Sequence, residues 1–257
     1  MKKVLITGVS GGIGKELCHL FIEKGYTVIG VDLNQAGLST LQEKYMEDFI
    51  SYTVDLSDRD KLKQCFSNIT YEQGMPEIVI NNAGIAHIQR FLQEAEAEFD
   101  KVMQINFNSI VDSCRFWLPL FEQERKGTIV NIASVAGHVP TAGMPSYTAS
   151  KFAVTGLTQS LQLELKSQKS PVHMVLVSPG FVNTGIMKIG QEQGFPKEFA
   201  SLVANPKSCA KEIVSGILKG ADNIYPTLNG KVMVTLRRYF PSSLNFMNVK
   251  LSKRIFK

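Results

Sequence analysis

The strongest constraint on the fold of this chain is a glycine-rich turn between a short apolar run and a helical pattern. The run Lys3–Thr7 is rich in branched residues, as buried strands are, and Gly8–Gly14 (GVSGGIG) follows it directly. Apolar residues then recur at helical spacing through Gly14–Lys24. A strand that turns through glycines into a helix is typical of a βαβ unit, so the chain is predicted to contain a parallel sheet.

Short apolar runs continue to alternate with helical patterns along the chain. Right-handed crossovers between such strands give an α/β fold with a doubly wound parallel sheet, the Rossmann fold. The further predicted strands are Thr27–Val31, Ile50–Val54, Glu77–Asn81, Thr128–Ile132, Val172–Val177 and the short Asn223–Tyr225, and two long helices are predicted at Asp100–Phe121 and Ser150–Lys166.

No repeat or linker divides the chain before its basic C-terminal end. Residues 1–230 are therefore predicted to form a single domain, followed by a basic amphipathic extension at 231–257. Within the domain, glycines and Pro196 interrupt every pattern in Asn183–Ala210, where the apolar residues between Ile186 and Phe199 are scattered. We expect a flexible apolar flap there.

Composition narrows the class of protein. The chain has 257 residues, 44% of them hydrophobic, which suffices for one large core. Its four cysteines lie far apart, and its histidines show no metal-ligand spacing, so we expect reduced thiols and no metal site. The apolar run after Met1 is too short for a signal peptide, and no stretch reaches the roughly 18 apolar residues of a membrane span. A cytoplasmic location is predicted.

The glycine-rich turn has the features of a phosphate-binding loop. Glycines let backbone N–H groups approach a pyrophosphate closely, and the dipole of the following helix favours its negative charge. The spacing G-x-x-x-G-x-G differs from that of a Walker A loop. The alternative is a tight turn without a ligand. We predict that the turn binds a dinucleotide cofactor through Gly8, Ser10, Gly12, Ile13 and Gly14.

An acidic residue favours one form of that cofactor. Asp32 stands at the end of the second predicted strand, where a carboxylate accepts hydrogen bonds from both hydroxyls of the adenosine ribose. The same charge repels a 2′-phosphate, and neither Gly11 nor Leu33 offers a compensating cation. These residues therefore favour NAD over NADP, although an acid after a strand can also simply cap a turn. Asp55 and Leu56, after the third strand, are predicted to lie near the adenine.

A tyrosine and a lysine four residues apart provide a candidate acid/base pair. Tyr147 and Lys151 share one face at a helix start, so the ammonium can lie near the phenol. A free tyrosine titrates near ~10, and a nearby cation lowers that pKa by stabilising the phenolate. Such a pair alone is weak evidence, since it is ordinarily a surface contact.

The ordered set of motifs resembles the short-chain dehydrogenase/reductase family over about residues 3–230. The resemblance is carried by the glycine-rich turn, Asn81-Asn82-Ala83-Gly84, Asn106, Ser134, Tyr147-x-x-x-Lys151 and Ser178-Pro179-Gly180. It implies that Tyr147 is the general acid/base and that Ser134 binds the substrate oxygen. It also implies that Lys151 holds the nicotinamide ribose and lowers the pKa of Tyr147, and that Asn106 keeps a proton-relay water in place.

The resemblance extends to the cofactor and to the assembly. It implies that Gly8, Gly12 and Gly14 hold the pyrophosphate, that Asn82, Ala83 and Gly84 lie beside the adenosine ribose, and that Val182 and Thr184, after Pro179, meet the nicotinamide carboxamide. Tyr147 and Lys151 also count among the predicted cofactor contacts. Members of the family form dimers or tetramers, so a homodimer or homotetramer is expected.

The substrate is less constrained by the sequence than the cofactor. Gly143-Met144-Pro145 and the apolar flap predict a hydrophobic secondary alcohol or ketone, such as a lipid, steroid or retinoid-like molecule. The flap residues could equally close onto the core. His87 and His138 follow the fourth and fifth strands, at the edge where such sheets bind ligands, and are candidates for substrate contact.

The extension carries most of the positive charge. Residues 231–257 contain seven Lys and Arg and no Asp or Glu, whereas the whole chain is +5, so residues 1–230 are net −2. Because the basic residues are not spread over the fold, no nucleic-acid role is predicted. The alternation of apolar and basic residues suits either contact with an anionic membrane surface or packing on the body of the protein. Pro241 is expected to separate two helical pieces.

A non-catalytic alternative shares the same fold. A sensor or scaffold that binds NAD(H) would keep the glycine-rich turn and Asp32 without needing a catalytic group. The complete set Asn106, Ser134, Tyr147 and Lys151 favours an enzyme over that alternative.

Overall fold

The computed structural model describes residues 2–185 and 203–255, which contain a seven-stranded parallel sheet. Its strands are β1 (Lys2–Thr7), β2 (Tyr26–Asp32), β3 (Phe49–Thr53), β4 (Ile78–Asn81), β5 (Thr128–Ile132), β6 (His173–Val177) and β7 (Asn223–Ile224). They lie in the order β3-β2-β1-β4-β5-β6-β7. Each predicted strand is confirmed to within one residue at either end, and so is the doubly wound fold.

Helices cover both faces of the sheet. In the described residues they are α1 (Gly12–Glu23), α2 (Gln35–Tyr45), α3 (Arg59–Gln73), α4 (Glu96–Met103), α5 (Ser109–Gln123), α6 (Pro145–Ser167), α7 (Pro206–Leu218), α8 (Leu228–Tyr239) and α9 (Pro241–Ile255). Alternate residues of a strand face opposite sides, so Val4 and Ile6 pack with α1, α2 and α7, whereas Leu5 packs with α3, α5 and α6. Two apolar layers thus enclose the sheet.

The strand order creates a crevice at the carboxyl ends of β1 and β4. The chain runs outward from β1 to β3 and then returns to place β4 on the other side of β1. The crossovers after β1 and β4 leave the sheet in opposite directions, and a doubly wound sheet binds its ligand at this point. Thr7 and Asn81, the last residues of the two strands, therefore mark the expected site.

The helical predictions need three corrections. The single helix predicted over Asp100–Phe121 is wrong, because a π-helical turn at Gln104–Asn108 separates α4 from α5. The helix predicted from Ser150 begins five residues earlier, at Pro145, whose fixed φ suits the first helical turn. Part of the predicted flap is also helical, since the side chain of Asn205 caps α7 and Pro206 starts it. Ile186–Phe199 lie outside the described residues.

Further expectations concern the ends of the fold and its thiols. The helical break predicted at Pro241 is confirmed, and the predicted domain boundary at residue 230 falls inside α8. All four cysteines are buried and free, as expected of reduced thiols. Within residues 2–185 and 203–255, no helix combines the length and the apolar character needed to cross a bilayer.

A glycine substitution tests the packing at the start of α1. A Cβ added at Gly14 would lie 2.2 Å from the carbonyl oxygen of Gly8, a distance that neither backbone can accommodate without moving. We expect Gly14→Ala to lower the free energy of unfolding by at least about 2 kcal/mol. The measurement is chemical denaturation.

Gly156 provides the matched control for this substitution. It is an exposed helical glycine with no atom within 4 Å of its added Cβ. Gly156→Ala should be neutral or raise the free energy of unfolding by about 0.5–1 kcal/mol, because alanine restricts the unfolded chain. Equal effects of the two substitutions would contradict the close approach at Gly14.

Candidate active site

The glycine-rich turn brings β1 against the segment after β4. Gly8 has a φ of +64°, which favours glycine, and its added Cβ would lie 2.7 Å from the Cα of Ala83. Its amide donates to Val31 O at 2.8 Å, and its carbonyl accepts from Gly11 N at 3.1 Å. No side chain larger than hydrogen fits at this position, so glycine is required for the close approach to Ala83.

The start of α1 has the properties of an anion site. Gly11 is its N-cap, and among the described residues no side chain caps the first amides of this twelve-residue helix. An added Cβ at Gly12 would lie 2.9 Å from Cγ2 of Thr184. The turn and the loop after β6 thus form a narrow cradle of backbone. These residues fit a dinucleotide pyrophosphate, since it needs unsatisfied N–H groups and a close backbone approach.

Asp32 lies beside this cradle, at the end of β2. Its carboxylate accepts one hydrogen bond from Ser10 N at 2.8 Å and one from Asn34 N at 3.0 Å. The first bond ties the glycine-rich turn to β2, and the second shapes the turn into α2. Each carboxylate oxygen has a second lone pair, which can accept a hydrogen bond from a ribose hydroxyl. The capping role and the predicted cofactor role are therefore compatible.

Thr7 joins the two strands at the crevice. Its hydroxyl accepts from Asn82 N at 3.0 Å and from Ala83 N at 3.1 Å, while the side chain of Asn82 donates to Thr7 O and Gly8 O. The bonds link residues about 75 positions apart in the chain and fix Asn82-Ala83-Gly84 against the glycine-rich turn. A lone threonine at a strand end carries no signal for this role, and the sequence interpretation missed it.

Asn106 is the fully buried centre of a second set of contacts. Its side chain makes both hydrogen bonds to the backbone of Ile85, accepting from N at 2.8 Å and donating to O at 2.9 Å. It also donates to Ser150 Oγ at 3.0 Å, and Ser150 in turn donates to Tyr147 O at 2.7 Å. The π-helical turn that contains Asn106 thereby connects the loop after β4 to the first turns of α6.

The predicted acid/base residues converge on one buried place. Tyr147 is 9% exposed and Lys151 3%, and the Lys151 Nζ lies 5.7 Å from the centre of the Tyr147 ring. The ammonium donates to Ile132 O at 2.9 Å. The hydroxyl of Ser134, two residues further along the chain, is close enough to the Tyr147 hydroxyl to lower its pKa. α6 and the end of β5 thus bring these groups together.

The pKa of Tyr147 is shifted in the opposite direction to the one that the sequence predicted. Burial raises the pKa of Tyr147, and the neighbouring Ser134 hydroxyl opposes that rise. Burial also lowers the pKa of Lys151, from 10.5 to about 8. The protein groups alone therefore keep the phenol protonated, because desolvation of the phenolate outweighs the effect of Ser134. A raised pKa suits a proton donor to a carbonyl oxygen more than a resident base.

Two predicted cofactor residues have structural partners of their own. The carboxylate of Asp55 accepts from the amide and the hydroxyl of Ser57, which lowers its pKa and forms a turn before α3. Leu56 is buried in the core beside α3. Neither contact tests the predicted place near the adenine, which stays a prediction.

Three contacts fix the loop after β6. Pro179 O accepts from Val135 N at 2.7 Å, and buried Val182 pairs with Ala204. The Gly180 amide donates to the side chain of Thr227 at 2.9 Å. These bonds hold Thr184 next to Gly12, where the predicted nicotinamide contacts would lie.

The two loop histidines have different partners. His138 Nε2 lies 2.9 Å from the hydroxyl of buried Ser178, and burial lowers the pKa of this imidazole. His87 lies 3.4 Å from Glu94, whose carboxylate also accepts from Ser146, the neighbour of Tyr147. The sequence interpretation missed Glu94, because an acid in a polar loop normally faces water.

Comparison with known proteins decides the family. The model of the short chain dehydrogenase family matches residues 2–193. The chain belongs to the short-chain dehydrogenase/reductase family. The protein is accordingly an oxidoreductase of CH–OH and carbonyl groups, and its fold binds a nicotinamide cofactor. In the described residues, no cluster of three or more His, Cys, Asp or Glu could hold a metal ion.

Individual relatives of this short-chain dehydrogenase support the assignment. The 3-oxoacyl-[acyl-carrier-protein] reductase FabG of Thermotoga maritima is 29% identical over 86% of this chain and 96% of its own length. The NADPH-dependent pterin aldehyde reductase of Arabidopsis thaliana is 32% identical over 72% of this chain and 77% of its own. A short chain dehydrogenase/reductase of Burkholderia phymatum, solved in complex with NAD, shares the fold with a TM-score of 0.83 at 22% identity and 92% coverage of both chains.

The pKa of Lys151 predicts a pH-dependent stability. The folded dehydrogenase loses this proton near pH 8, whereas the unfolded chain keeps it until about 10.4. Between these values the unfolded state binds more protons, so the free energy of unfolding rises with pH. Relative to Lys151→Met, the wild type should gain up to about 3 kcal/mol between pH 7 and pH 10.5. Denaturation curves of both proteins at several pH values measure this gain, and parallel pH profiles would contradict it.

Proposed function

We propose that this short-chain dehydrogenase is an NAD(H)-dependent enzyme that interconverts a secondary alcohol and a ketone, with Tyr147 as its general acid/base. The observation that carries the proposal is the buried group formed by the Tyr147 hydroxyl, the Ser134 hydroxyl and the Lys151 ammonium. This group adjoins the glycine-lined crevice, since an added Cβ at Gly84 would lie 3.5 Å from Lys151 Nζ.

Ser134, Tyr147 and Lys151 have different roles in proton transfer. The nicotinamide, when bound, accepts or supplies the hydride. The hydroxyls of Ser134 and Tyr147 lie close together, so both can donate hydrogen bonds to one substrate oxygen. In the reducing direction Tyr147 donates its proton to that oxygen as hydride reaches the carbon. Lys151, predominantly charged below pH 8, offsets the negative charge that then develops on the phenol oxygen.

The preference for NAD rests on Asp32. Its carboxylate lies between the amides of Ser10 and Asn34 at the end of β2, with the exposed side chain of Leu33 next to it. A 2′-phosphate at this place would meet a negative charge and no cation from these residues. The relatives include both a protein in complex with NAD and an NADPH-dependent enzyme, so the support for NAD comes from Asp32 itself.

A hydrophobic alcohol or ketone remains the proposed substrate. Gly143-Met144, just before α6, are partly exposed near Tyr147, and the apolar residues of the predicted flap follow Thr184 in the chain. The names of two relatives describe reduction of an oxoacyl group and of an aldehyde, which are carbonyl chemistries of the same kind. We further propose a cytoplasmic homodimer or homotetramer, in keeping with the family.

Replacing the proposed proton donor tests the function. Tyr147→Phe removes the hydroxyl but keeps the buried ring, so we expect turnover to fall by about a hundredfold or more while NADH binding is nearly unchanged. The assay follows NADH formation over a panel of hydrophobic secondary alcohols, and fluorescence titration follows NADH binding.

Tyr71→Phe is the matched control, since Tyr71 is 93% exposed on α3, and it should leave both quantities unchanged. Unchanged turnover in Tyr147→Phe would remove this residue from the mechanism. NADH binding without any turnover by the wild type across the panel would favour the sensor or scaffold alternative.

A further inference from the structure

We infer that α8 and α9 form a docking surface for an anionic membrane. The exposed face of α8 carries Leu228, Val232, Thr235 and Tyr239, which recur at i, i+4, i+7 and i+11 and so lie on one side of the helix. Leu228 is 78% exposed and Tyr239 64% exposed. A helix side with such residues facing water is not a core-packing face.

The second helix repeats this arrangement. Phe246 is 72% exposed and Val249 55%, and the exposed lysines Lys250 and Lys253 lie beside them at helical spacing. The opposite side of α9 packs on the body, because Leu244 is buried against Val135 and Val139. The helix is therefore anchored on one side and presents apolar and basic groups on the other.

The two helices are also held to each other and to the active-site loops. Arg237 donates to Asn245 Oδ1 at 2.8 Å, across the break at Pro241, and Asn248 donates to Pro140 O at 3.1 Å. Pro140 and Val135 belong to the segment that follows Ser134. The docking surface is thus part of the folded domain and adjoins the segment next to the proposed substrate oxygen site.

Charge selects the partner of this surface. Residues 231–257 carry seven Lys and Arg and no Asp or Glu, so two copies of the surface would repel each other. A nucleic acid would meet the positive charge but leave Leu228, Val232 and Phe246 in water. An anionic phospholipid surface suits both the basic and the exposed apolar residues. Its headgroups attract the cations, and its interface accepts aromatic and aliphatic side chains.

The docking surface also has a consequence for substrate supply, and this consequence rests on the proposed function. A hydrophobic alcohol or ketone partitions into the bilayer, and docking through α8 and α9 would place the segment after Ser134 close to that supply. The docking itself does not depend on the activity, so it is tested by binding alone.

Vesicle co-sedimentation of the full chain tests the docking surface. The wild type should bind phosphatidylcholine vesicles that contain phosphatidylserine, bind pure phosphatidylcholine vesicles far less, and be released by high salt. The double substitution Arg238→Gln and Lys250→Gln removes two exposed cations and should weaken binding about thirtyfold. Val232→Ser with Phe246→Ser should weaken binding without changing the charge.

The controls change equally exposed residues of the body. Lys63→Gln with Lys219→Gln, and separately Tyr71→Ser, should leave vesicle binding unchanged. Equal loss in control and test variants would overturn the proposal, as would wild-type protein that stays in the supernatant with both vesicles. Binding to duplex DNA in preference to vesicles, or self-association in sedimentation velocity that the test substitutions abolish, would assign the surface to another partner and overturn it too.

Discussion

The buried side-chain amide of Asn106 is the interaction on which the active site depends. This single amide group forms hydrogen bonds with the backbone of Ile85 and with the hydroxyl of Ser150. It therefore joins the loop after β4 to the first turns of α6. Asn106 lies in the π-helical turn that interrupts the run from α4 to α5. A second link between the same loop and helix is the hydrogen bond from buried Ser146 to Glu94.

Desolvation sets the chemistry of the residues that this link positions. Tyr147 and Lys151 lie in the same water-poor environment, which raises the pKa of the phenol and lowers that of the ammonium. Both shifts favour the neutral form of each group. The Tyr147 hydroxyl is therefore protonated in the free enzyme, and Lys151 is predominantly charged below pH 8.

Much of the fold could be predicted from the sequence, because buried parallel strands are short continuous apolar runs. The ends of these runs locate the ends of the strands to within one residue. α2 was not detected, because only Gly37, Leu38 and Leu41 of its eleven residues are buried. The spacing of Tyr147 and Lys151 predicted their contact, since four residues is one helical turn. The roles of Thr7 and Glu94 could not be predicted, because their partners are distant in the chain and are brought near only by the sheet and its loops.

The central claim is that the glycine-rich turn and Asp32 build a site for NAD(H), and calorimetric titration with NADH and NADPH tests it most directly. The account predicts that the wild type binds NADH more tightly than NADPH. It also predicts that Asp32→Ser with Leu33→Arg reverses the preference, because a cation then replaces the carboxylate beside the ribose. Leu33→Arg alone leaves Asp32 in place, so the contacts between Asp32 and NADH should be retained. Tighter binding of NADPH by the wild type, or no binding of either dinucleotide, would contradict the account.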